Sequence, residues 1–225
     1  MNGTVTGRTV ADVFEESLDA ADDGSFVVAP DAGTISGLVE AVDEDSPSIR
    51  LLANAAALKA AMGEFLVAGR AANHVDSEVL DIRQCEGGSN ALVVTESSAV
   101  TVVRGAERVA GLATDDEAIV DDVDDRLSAA WGGADPYDLR TPPLTRVRTT
   151  LASELGESTA EAFDSIFAAI EADGAGVDAV TVSVLVAARN EDLLYDISKW
   201  GEDVGIASKA TFSRTKTRLE ELGAI

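Results

Sequence analysis

The chain has 225 residues, of which 46% are hydrophobic, and its formal net charge is −24 at pH 7. This length provides for one or two domains with an extensive apolar core. The single cysteine excludes an internal disulfide, and one histidine without a cysteine cluster leaves a zinc site unsupported. No apolar run reaches the roughly 18 residues of a membrane-spanning helix, and the amino terminus lacks a signal-peptide core, so we expect a cytoplasmic protein.

Acidic residues are spread along the chain and are not gathered in one tail. There are 41 of them against 17 basic residues, and only four of the basic residues are lysines: Lys59, Lys199, Lys209 and Lys216. An acidic, lysine-poor chain rich in alanine and valine is typical of a salt-loving archaeon, because the Debye length of about 3 Å at about 1 M salt screens its self-repulsion. The alternative is an acidic binding protein from a non-halophile, which the even spread of charge disfavours.

The amino-terminal part of the chain alternates predicted strands with predicted helices, after a polar lead over residues 1–24. The elements in chain order are a helix at Val10–Ala20, a strand at Ser25–Ala29, a helix at Thr34–Val42, a strand at Ile49–Leu52 and a helix from its cap Asn54 to about Ala72. This order is typical of a parallel α/β structure.

Short β-prone runs separated by turn residues follow. The runs are Ser77–Gln84, Ala91–Thr95, Val100–Arg104 and Arg108–Leu112. They are typical of a meander, and we predict an acidic helix after them at Asp115–Ala130. The segment Thr141-Pro142-Pro143 resists both helix and strand, so we predict that an α/β domain occupies residues 1–140.

Residues 141–225 carry helical patterns. The predicted helices are Leu144–Leu155, ended by Gly156; Ser158 to about Ala172, with Ser158 and Glu161 as a capping box; and Val177–Arg189, which is apolar nearly all round and should be buried. A loop is predicted between the last two, at Asp173–Gly176. The predicted fold class is therefore an α/β domain followed by an all-α domain.

The carboxyl-terminal stretch from about Leu193 to Ile225 indicates a helix, a tight turn and a second helix. We expect the first helix from about Leu193 to Asp203, and a chain reversal at Gly205, because glycine adopts positive φ without strain. Ser208 should cap the second helix by accepting a backbone N–H. That helix should continue to Leu222, with Gly223 ending it.

The second helix of this pair is basic in an acidic chain. From Lys209 to Leu219 there are four cations and no carboxylate. Its apolar face is predicted from the 3.6-residue period as Phe212, Leu219 and Leu222. A basic helix held against a preceding helix across a glycine turn is the helix-turn-helix layout. The alternative is an ordinary helical hairpin with a solvated basic face.

The charge of the chain follows the same division. Residues 1–140 carry a net charge of −18 and residues 141–225 carry −6. Three arginines near the boundary, Arg140, Arg146 and Arg148, either contact DNA phosphates or pair with the acidic domain. Over long range the net charge opposes DNA binding. High salt mutes this repulsion but also weakens affinity from counterion release, so shape and specific contacts must contribute more of the binding.

The basic helix suggests specific roles in DNA binding. Lys209, Ser213, Arg214 and Thr217 are placed to meet base edges or groove walls, and arginine can bind guanine bidentately. Lys199, Lys216 and Arg218 are expected to contact phosphates, which position the protein without reading sequence. Ser208 and Thr211, at the start of the helix, complete the predicted set of DNA-contacting residues.

Catalytic, cofactor and metal sites find little support in the sequence. Cys85 has only His74 as a possible base, and nothing in the spacing positions the two together. The pairs Gly87-Gly88 and Gly132-Gly133 match neither a phosphate-binding loop nor a dinucleotide fingerprint. The carboxylates of residues 115–125 lack calcium-loop spacing and are interpreted as a solvated helix face. We therefore predict neither an enzyme, nor a cofactor, nor a metal site.

The carboxyl-terminal segment IASKATFSRTKTRLEELGAI is similar to the recognition-helix region of bacterial and archaeal winged-helix regulators. The longer block LVAARNEDLLYDISKWGEDVGIASKATFSRTKTRLEELGAI, on an acidic α/β domain, resembles the haloarchaeal TbsP family. These are transcriptional regulators of central carbon metabolism that act alongside the sugar-responsive regulator TrmB. The resemblance implies sequence-specific promoter binding that controls gluconeogenic genes and glucose use.

Two features depart from the winged-helix pattern. Lys216 stands where many such helices carry a buried Leu or Val, so we expect that end of the helix to pack differently. A wing hairpin would begin after Ile225, so we expect the wing to be absent or to lie beyond that residue.

The sequence is compatible with three functions. The first is a transcription factor that binds double-stranded promoter DNA as a homodimer, since paired half-sites match a two-fold protein. The helix from Ser158 to Ala172 and the α/β domain are the candidate dimer surfaces, and whether the α/β domain senses a metabolite stays open. The second is a protein-interaction module whose winged-helix-like end binds another regulator. An enzyme on the α/β domain is the third, and it has the least support.

Overall fold

Two units make up the structure, a computed structural model that describes residues 3–19, 21, 24–86, 88, 90–173 and 178–225, without the side chains of residues 170–173. One unit comprises Met1–Gly63 and Asn73–Leu139, and the other comprises Glu64–Ala72 and Arg140–Ile225. The first is built on a mixed sheet and the second is helical. The predicted fold class, an α/β region followed by an all-α helix-turn-helix region, is confirmed.

The first unit is organised by an eight-stranded sheet with the order β1-β7-β6-β5-β2-β3-β4-β8. Its strands are β1 (Thr4–Gly7), β2 (Ser25–Ala29), β3 (Ile49–Ala53), β4 (Leu80–Gln84), β5 (Ala91–Val94), β6 (Ala99–Arg104), β7 (Val109–Thr114) and β8 (Asp135–Pro136). The central strands β2, β3 and β4 are parallel, and every other pairing is antiparallel. The sheet therefore combines the parallel and meander patterns that the sequence predicts.

Helices cover both faces of this sheet. The helices along this part of the chain are α1 (Val10–Leu18), α2 (Ala32–Ala41), α3 (Ala55–Ala61), α4 (Phe65–Asp76), which belongs to the second unit up to Ala72, and α5 (Glu117–Gly133). All five residues of β2 are buried. Phe26 and Val28 point to the face on which α5 packs, and Val27 points to the face of α1, because side chains alternate along a strand.

Two predictions in the first unit are corrected. The helix predicted from Asn54 to about Ala72 is two helices, α3 and α4, interrupted at Met62 and Gly63. Glycine disfavours a helix interior, but the alanines on both sides hid this break in the sequence pattern. The predicted polar lead contains β1, which pairs with β7 at the sheet edge. The cap at Asn54 is confirmed, because its side chain accepts a 2.8 Å hydrogen bond from the Ala57 N–H.

The second unit continues with five helices. They are α6 (Leu144–Leu155), α7 (Glu157–Asp173), α8 (Ala179–Arg189), α9 (Leu194–Val204) and α10 (Lys209–Glu221). Helix α8 is buried along most of its length, as predicted for a helix that is apolar nearly all round. Asp178 caps it by accepting the Thr181 N–H at 3.0 Å.

The core of the second unit joins these helices through large side chains. Phe163, Ile197, Trp200 and Phe212 are all buried within it. The indole N–H of Trp200 donates a 3.0 Å hydrogen bond to the Thr150 hydroxyl and so ties α9 to α6. A buried indole needs such a partner, because an unpaired polar group away from water is costly.

The capping box predicted at Ser158 and Glu161 is wrong. Gly156 adopts φ +99° and α7 begins directly after it, so that Ser158 lies inside the first turn of α7. The Gly156 carbonyl accepts the N–H groups of Thr159 and Ala160 at 3.1 and 3.3 Å. The predicted loop Asp173–Gly176 lies mostly outside the described residues, and Asp173 itself belongs to α7.

In the part of the chain that the structure describes, none of the helices combines the length and the apolar character that crossing a membrane requires.

Candidate nucleic-acid interface

The turn between α9 and α10 is closed by backbone hydrogen bonds around one glycine. Gly205 adopts a left-handed conformation, with φ +92° and ψ +16°. Its N–H donates to the Glu202 carbonyl at 3.2 Å, and the Ile206 N–H donates to the Gly201 carbonyl at 2.8 Å. This is the Schellman pattern, in which a glycine reverses the chain and satisfies the last carbonyls of a helix. The predicted reversal at Gly205 is confirmed.

Helix α10 is held in place by an aromatic side chain. Phe212 is 0% exposed, and Leu219 is also buried. A Cβ atom at Gly201 of α9 would overlap the Phe212 ring, so the absence of a side chain at that position lets the two helices approach closely. α10 also packs against α8, and its opposite side is left in solvent.

Two predictions about α10 are corrected. Leu222, predicted on the apolar face, is 69% exposed, because no described element of this unit covers the last turn of the helix. Ser208 occupies the N-cap position but makes no side-chain cap. Its carbonyl accepts the Thr211 N–H at 2.9 Å, and its hydroxyl instead lies 3.1 Å from the Thr211 hydroxyl.

The side of α10 that faces solvent is called the free face, and one margin of it carries arginines. Arg214 and Arg218 lie four residues apart and therefore share one side of α10. The Arg214 guanidinium donates to the Thr211 hydroxyl at 3.3 Å and to the Ala210 carbonyl at 3.4 Å. Among the described residues, neither arginine has a carboxylate within ion-pair distance. We call these two residues the arginine margin.

The other margin carries lysines. Lys209 and Lys216 are seven residues apart, which is close to two helical turns, and we call them the lysine margin. The ammonium of Lys209 lies 3.5 Å from a carboxylate oxygen of Glu202 and 5.6 Å from the centroid of the Tyr195 ring. Lys216 pairs with Glu220 on the same helix. Both lysines are therefore partly neutralised by carboxylates within their own unit.

Lys199, on α9, is also paired with a carboxylate, as the lysines of the lysine margin are. Its ammonium donates a 2.9 Å hydrogen bond to Asp203, one turn further along. This hydrogen bond, followed by the charge of Asp203, raises the pKa of Lys199 above its ordinary value of 10.5. Lys199 stays fully charged near neutral pH, but its charge is shared with a neighbour.

Between the two margins lie small polar side chains. Ser213 and Thr217 are exposed at the middle of the free face, and the Thr217 hydroxyl donates to the Ser213 carbonyl at 3.2 Å. Of the residues predicted to contact DNA, Thr211 and Lys216 are half-buried and the remaining ones are exposed: Lys199, Ser208, Lys209, Ser213, Arg214, Thr217 and Arg218. The structure brings all of them except Lys199 together on α10 and its cap, and their roles toward DNA stay predictions.

The sequence interpretation missed the carboxylates that pair with the lysines. The pairs Lys199–Asp203 and Lys216–Glu220 have a spacing of four residues, which is a signal for a helical ion pair. The pair Lys209–Glu202 spans the turn and has no such signal, because it depends on how α10 returns past α9.

The three arginines near the predicted boundary differ from one another. Arg148 pairs with Glu157 at 3.2 Å and with Asp164 at 2.8 Å, both on α7. The hydrogen bond to Asp164 and its charge raise the pKa of Arg148 further above its already high ordinary value. Arg148 therefore forms its ion pairs with carboxylates of its own unit and not with those of the α/β domain. Arg140 and Arg146 are exposed.

This arrangement defines a class of protein. A glycine turn sets a basic helix against a buried helix pair and leaves its charged face free, which is the construction of a helix-turn-helix DNA-binding domain. Attached to a mixed α/β unit, such a domain defines a transcriptional regulator.

Comparison with protein families agrees with this class and narrows it. Residues 2–142 match the family model of the amino-terminal domain of TbsP-like transcriptional regulators. Residues 143–225 match the model of their carboxyl-terminal helix-turn-helix domain. The chain belongs to the TbsP-like family of transcriptional regulators, a class whose members are generally not enzymes.

Similarity to individual proteins is remote. One similar structure is that of TrmBL2, an archaeal chromatin protein with a novel mode of DNA binding, at 12% identity and a TM-score of 0.40, covering 60% of this chain and 54% of that one. Another is Nuc from Salmonella typhimurium, a phospholipase D family member, at 10% identity and a TM-score of 0.44, covering 60% of this chain and 97% of that one. The match spans about half the length of TrmBL2. No curated protein sequence matches the chain.

Proposed function

We propose that this protein is a sequence-specific transcriptional regulator that binds double-stranded promoter DNA through the free face of α10. The observation that carries the proposal is the exposure of basic side chains on a helix fixed by Gly205 and Phe212, in a chain of net charge −24. A helix of this kind fits the major groove, where base edges carry a donor and acceptor code.

The residues of α10 divide between reading bases and positioning the helix. Lys209, Ser213, Arg214 and Thr217 contact base edges or groove walls, and a bidentate arginine–guanine contact contributes about 1–3 kcal/mol of discrimination. Phosphate contacts come from Lys199, Lys216 and Arg218, with Ser208 and Thr211 at the start of the helix. The guanidinium of Arg214 contacts only neutral oxygens among the described residues and lies beside the small side chains of Ser213 and Thr217, which supports this division.

Composition and family membership support a setting for the proposed function. The chain is acidic throughout, which supports a halophilic archaeal source, and it belongs to a family of regulators. We therefore propose that it acts as a homodimer on promoters of central carbon metabolism, in gluconeogenesis and glucose use, alongside TrmB. The proposed organisation is a regulatory or dimerisation domain over residues 1–140 and a DNA-binding domain over residues 141–225.

Changing Lys209 and Arg214 to alanine together tests the DNA-binding role. A duplex selected by the wild-type protein from a random library is titrated in high salt. We expect binding to fall at least tenfold, with helical content and oligomeric state unchanged. The matched control changes Lys59 and Arg108, two exposed cations of the α/β unit, and should keep wild-type affinity. Unchanged binding by the Lys209 and Arg214 variant would show that α10 is not the recognition helix.

A protein-interaction module is the second candidate, and exposed apolar side chains support it. Leu193 is 67% exposed and Tyr195 is 64% exposed at the start of α9. If the wild-type protein selects no duplex in high salt while a Leu193→Ser, Tyr195→Ser variant loses a protein partner, this candidate replaces the first.

Mapping bound sites across the genome in cells grown with and without glucose tests the metabolic setting. We expect occupied promoters next to gluconeogenic genes, with occupancy that changes with glucose. Sites that are unrelated to carbon metabolism and indifferent to glucose would contradict the setting while leaving DNA binding intact.

A further inference from the structure

A cavity of about 530 Å³ lies in the α/β unit, between α5 and the sheet. Its floor is a single row of side chains that are directly paired across five neighbouring strands: Leu52, Val28, Leu92, Thr101 and Leu112. Its roof is one face of α5, with Ile119, Val123, Leu127 and Ala130. We call this cavity the α5 pocket, and its floor and roof are mainly apolar.

Four described residues from the connection between β4 and β5 form the third wall of the α5 pocket. Cys85, Glu86, Gly88 and Asn90 line the pocket from this connection. At Gly88, with φ +144°, a Cβ atom would lie 2.9 Å from a methyl carbon of Val28, so a glycine lets the connection lie close against the floor.

The α5 pocket occupies a position that favours ligands in α/β sheets. Val28 and Leu52 lie next to the last residues of the parallel strands β2 and β3, so the pocket is at their carboxyl ends. From β4 the chain returns across these ends to pair β5 with the other side of β2. A crevice at the carboxyl ends of strands, where the strand order reverses, is where open α/β sheets bind ligands.

The lining of the α5 pocket contains one arginine, Arg126. Arg126 projects from α5 into the lining, and among the described residues it makes no ion pair or hydrogen bond. Two other arginines of this unit have partners: Arg104 pairs with Asp31 at 3.1 Å, and the Arg83 guanidinium lies 4.4 Å from the centroid of the Trp131 ring. An unpaired guanidinium beside apolar walls is suited to an anionic group, which it can bind bidentately.

A carboxylate limits which anions fit. Glu86 lines the same pocket, so that a ligand with a second anionic group at its other end meets repulsion there. Asn90 and Thr101 add an amide and a hydroxyl that can hydrogen-bond a polar group of the ligand.

We propose that the α5 pocket binds a small organic acid with an apolar body and a single anionic head, held by Arg126. The volume falls within the range of about 300–1,000 Å³ that is typical of small-molecule sites, which also combine apolar walls with few polar groups. Enclosure on three sides by sheet, helix and connection fits a small molecule better than the flat surface of a second protein. The head is a carboxylate or a phosphate, and the proposal does not depend on DNA binding.

Octanoate and octyl phosphate are the probes, and octan-1-ol is their neutral counterpart. Binding to the full-length protein in high salt is measured by calorimetry and by the shift in Tm. We expect one of the two acids to bind at least tenfold more tightly than the alcohol, and the stronger acid identifies the head. We also expect octanedioate to bind more weakly than octanoate, and Glu86→Gln to reduce that difference.

Two pairs of variants locate the site. Arg126→Gln should weaken binding of the acid at least tenfold and abolish the preference over the alcohol, whereas Arg108→Gln, outside the pocket, should change neither. Ala130→Trp should fill the pocket and abolish binding, whereas Ala129→Trp, an exposed neighbour that does not line the pocket, should bind as the wild type does. Circular dichroism serves as the check that each variant is folded.

Three results would overturn the proposal. The first is failure of both acids to bind the wild-type protein. The second is equal affinity of the acids for the wild-type and Arg126→Gln proteins. The third is that Leu112→Ser with Ile119→Ser converts a dimer to a monomer while no acid binds, which would make these exposed residues an interface between two copies of the chain.

Discussion

The two margins of α10 carry the same number of positive charges in different electrostatic states. On the lysine margin, Lys209 and Lys216 each have a carboxylate partner, Glu202 and Glu220 respectively. On the arginine margin, the guanidinium of Arg214 meets only neutral oxygens among the described residues. The lysine margin with its partners is therefore close to neutral, and the arginine margin is the net positive part of the free face.

The unpaired arginines and the paired lysines should contribute differently to DNA binding. A phosphate attracts an unpaired cation directly, whereas a paired lysine must first give up its carboxylate or share it. Arginine also offers a planar set of donors that matches guanine, and lysine offers a point charge. We therefore expect the arginine margin to supply most of the specificity, and the lysine margin to be held back by Glu202 and Glu220.

Removing the Phe212 side chain, which holds α10 and both of its margins in place, should have the largest effect. Phe212→Ala should cost about 3–5 kcal/mol of unfolding free energy, because it leaves a large cavity in a buried site, and DNA binding should be lost with the position of α10. Urea denaturation in high salt measures the change. Leu222→Ala, at an exposed position on the same helix, is the control and should stay within about 0.5 kcal/mol. Equal costs for the two variants would contradict the packing of α10 on α9.

The next effect concerns the arginine margin alone. The double variant Arg214→Gln, Arg218→Gln should bind a selected duplex at least tenfold more weakly, since it loses the unpaired cations and about 1–3 kcal/mol for each bidentate base contact. Fluorescence anisotropy on a labelled duplex measures this affinity. Lys59→Gln with Arg108→Gln lowers the net charge equally and should have little effect. A loss of similar size in that control would mean that net charge, and not the arginine margin, controls binding.

A smaller effect, an increase in DNA affinity, is expected when the lysines lose their carboxylate partners. Glu202→Gln with Glu220→Gln should raise DNA affinity several-fold, because Lys209 and Lys216 then become unpaired cations. The salt dependence should steepen by about 0.9 for each additional phosphate that the lysines neutralise. Lys216→Gln with Glu220→Gln removes one whole pair, keeps the net charge and should stay within about twofold of the wild type. If releasing the lysines left both affinity and salt slope unchanged, the two margins would not differ in the way described.

The smallest effect is the pH dependence of the pair between Lys199 and Asp203. The raised pKa of Lys199 means that the stability from this pair is fully present below the ordinary lysine pKa of 10.5 and is lost as the pH rises through the higher folded-state pKa. Asp203→Asn should lower the pKa of Lys199 in an NMR titration, and its stability deficit should shrink above pH 10.5. Asp138→Asn, in the other unit, should leave the titration of Lys199 unchanged. A titration of Lys199 unaffected by Asp203→Asn would remove the pair as the cause.

Local patterns predicted those parts of the structure that depend on nearby residues. The reversal at Gly205, the burial of Phe212 and the cap at Asn54 each follow from residue type and helical period, and each is confirmed. The strand Ser25–Ala29 was predicted with the bounds that the structure has, because a short apolar run next to turn residues leaves few alternatives.

The features that the sequence predicted wrongly or missed depend on distant contacts or on competing local signals. Leu222 has the right period for the apolar face, but it is exposed because no described residue of its unit covers the end of α10. Ser158 matches a capping box, yet the positive φ of Gly156 starts α7 before it. The pair Lys209–Glu202 required the path of the chain through the turn. The α5 pocket likewise arises from strand order, which residue patterns do not specify.

Mapping of binding sites in cells tests whether the free face of α10 reads DNA. Tagged wild-type protein and the Arg214→Gln, Arg218→Gln variant are expressed at equal levels in cells of the source organism, and their binding sites are mapped across the genome by chromatin immunoprecipitation. We predict that wild-type sites lie in promoters and share a sequence motif, and that the variant loses most of them. Equal occupancy of the same sites by both proteins would contradict the assignment of the free face of α10 as the DNA-reading surface.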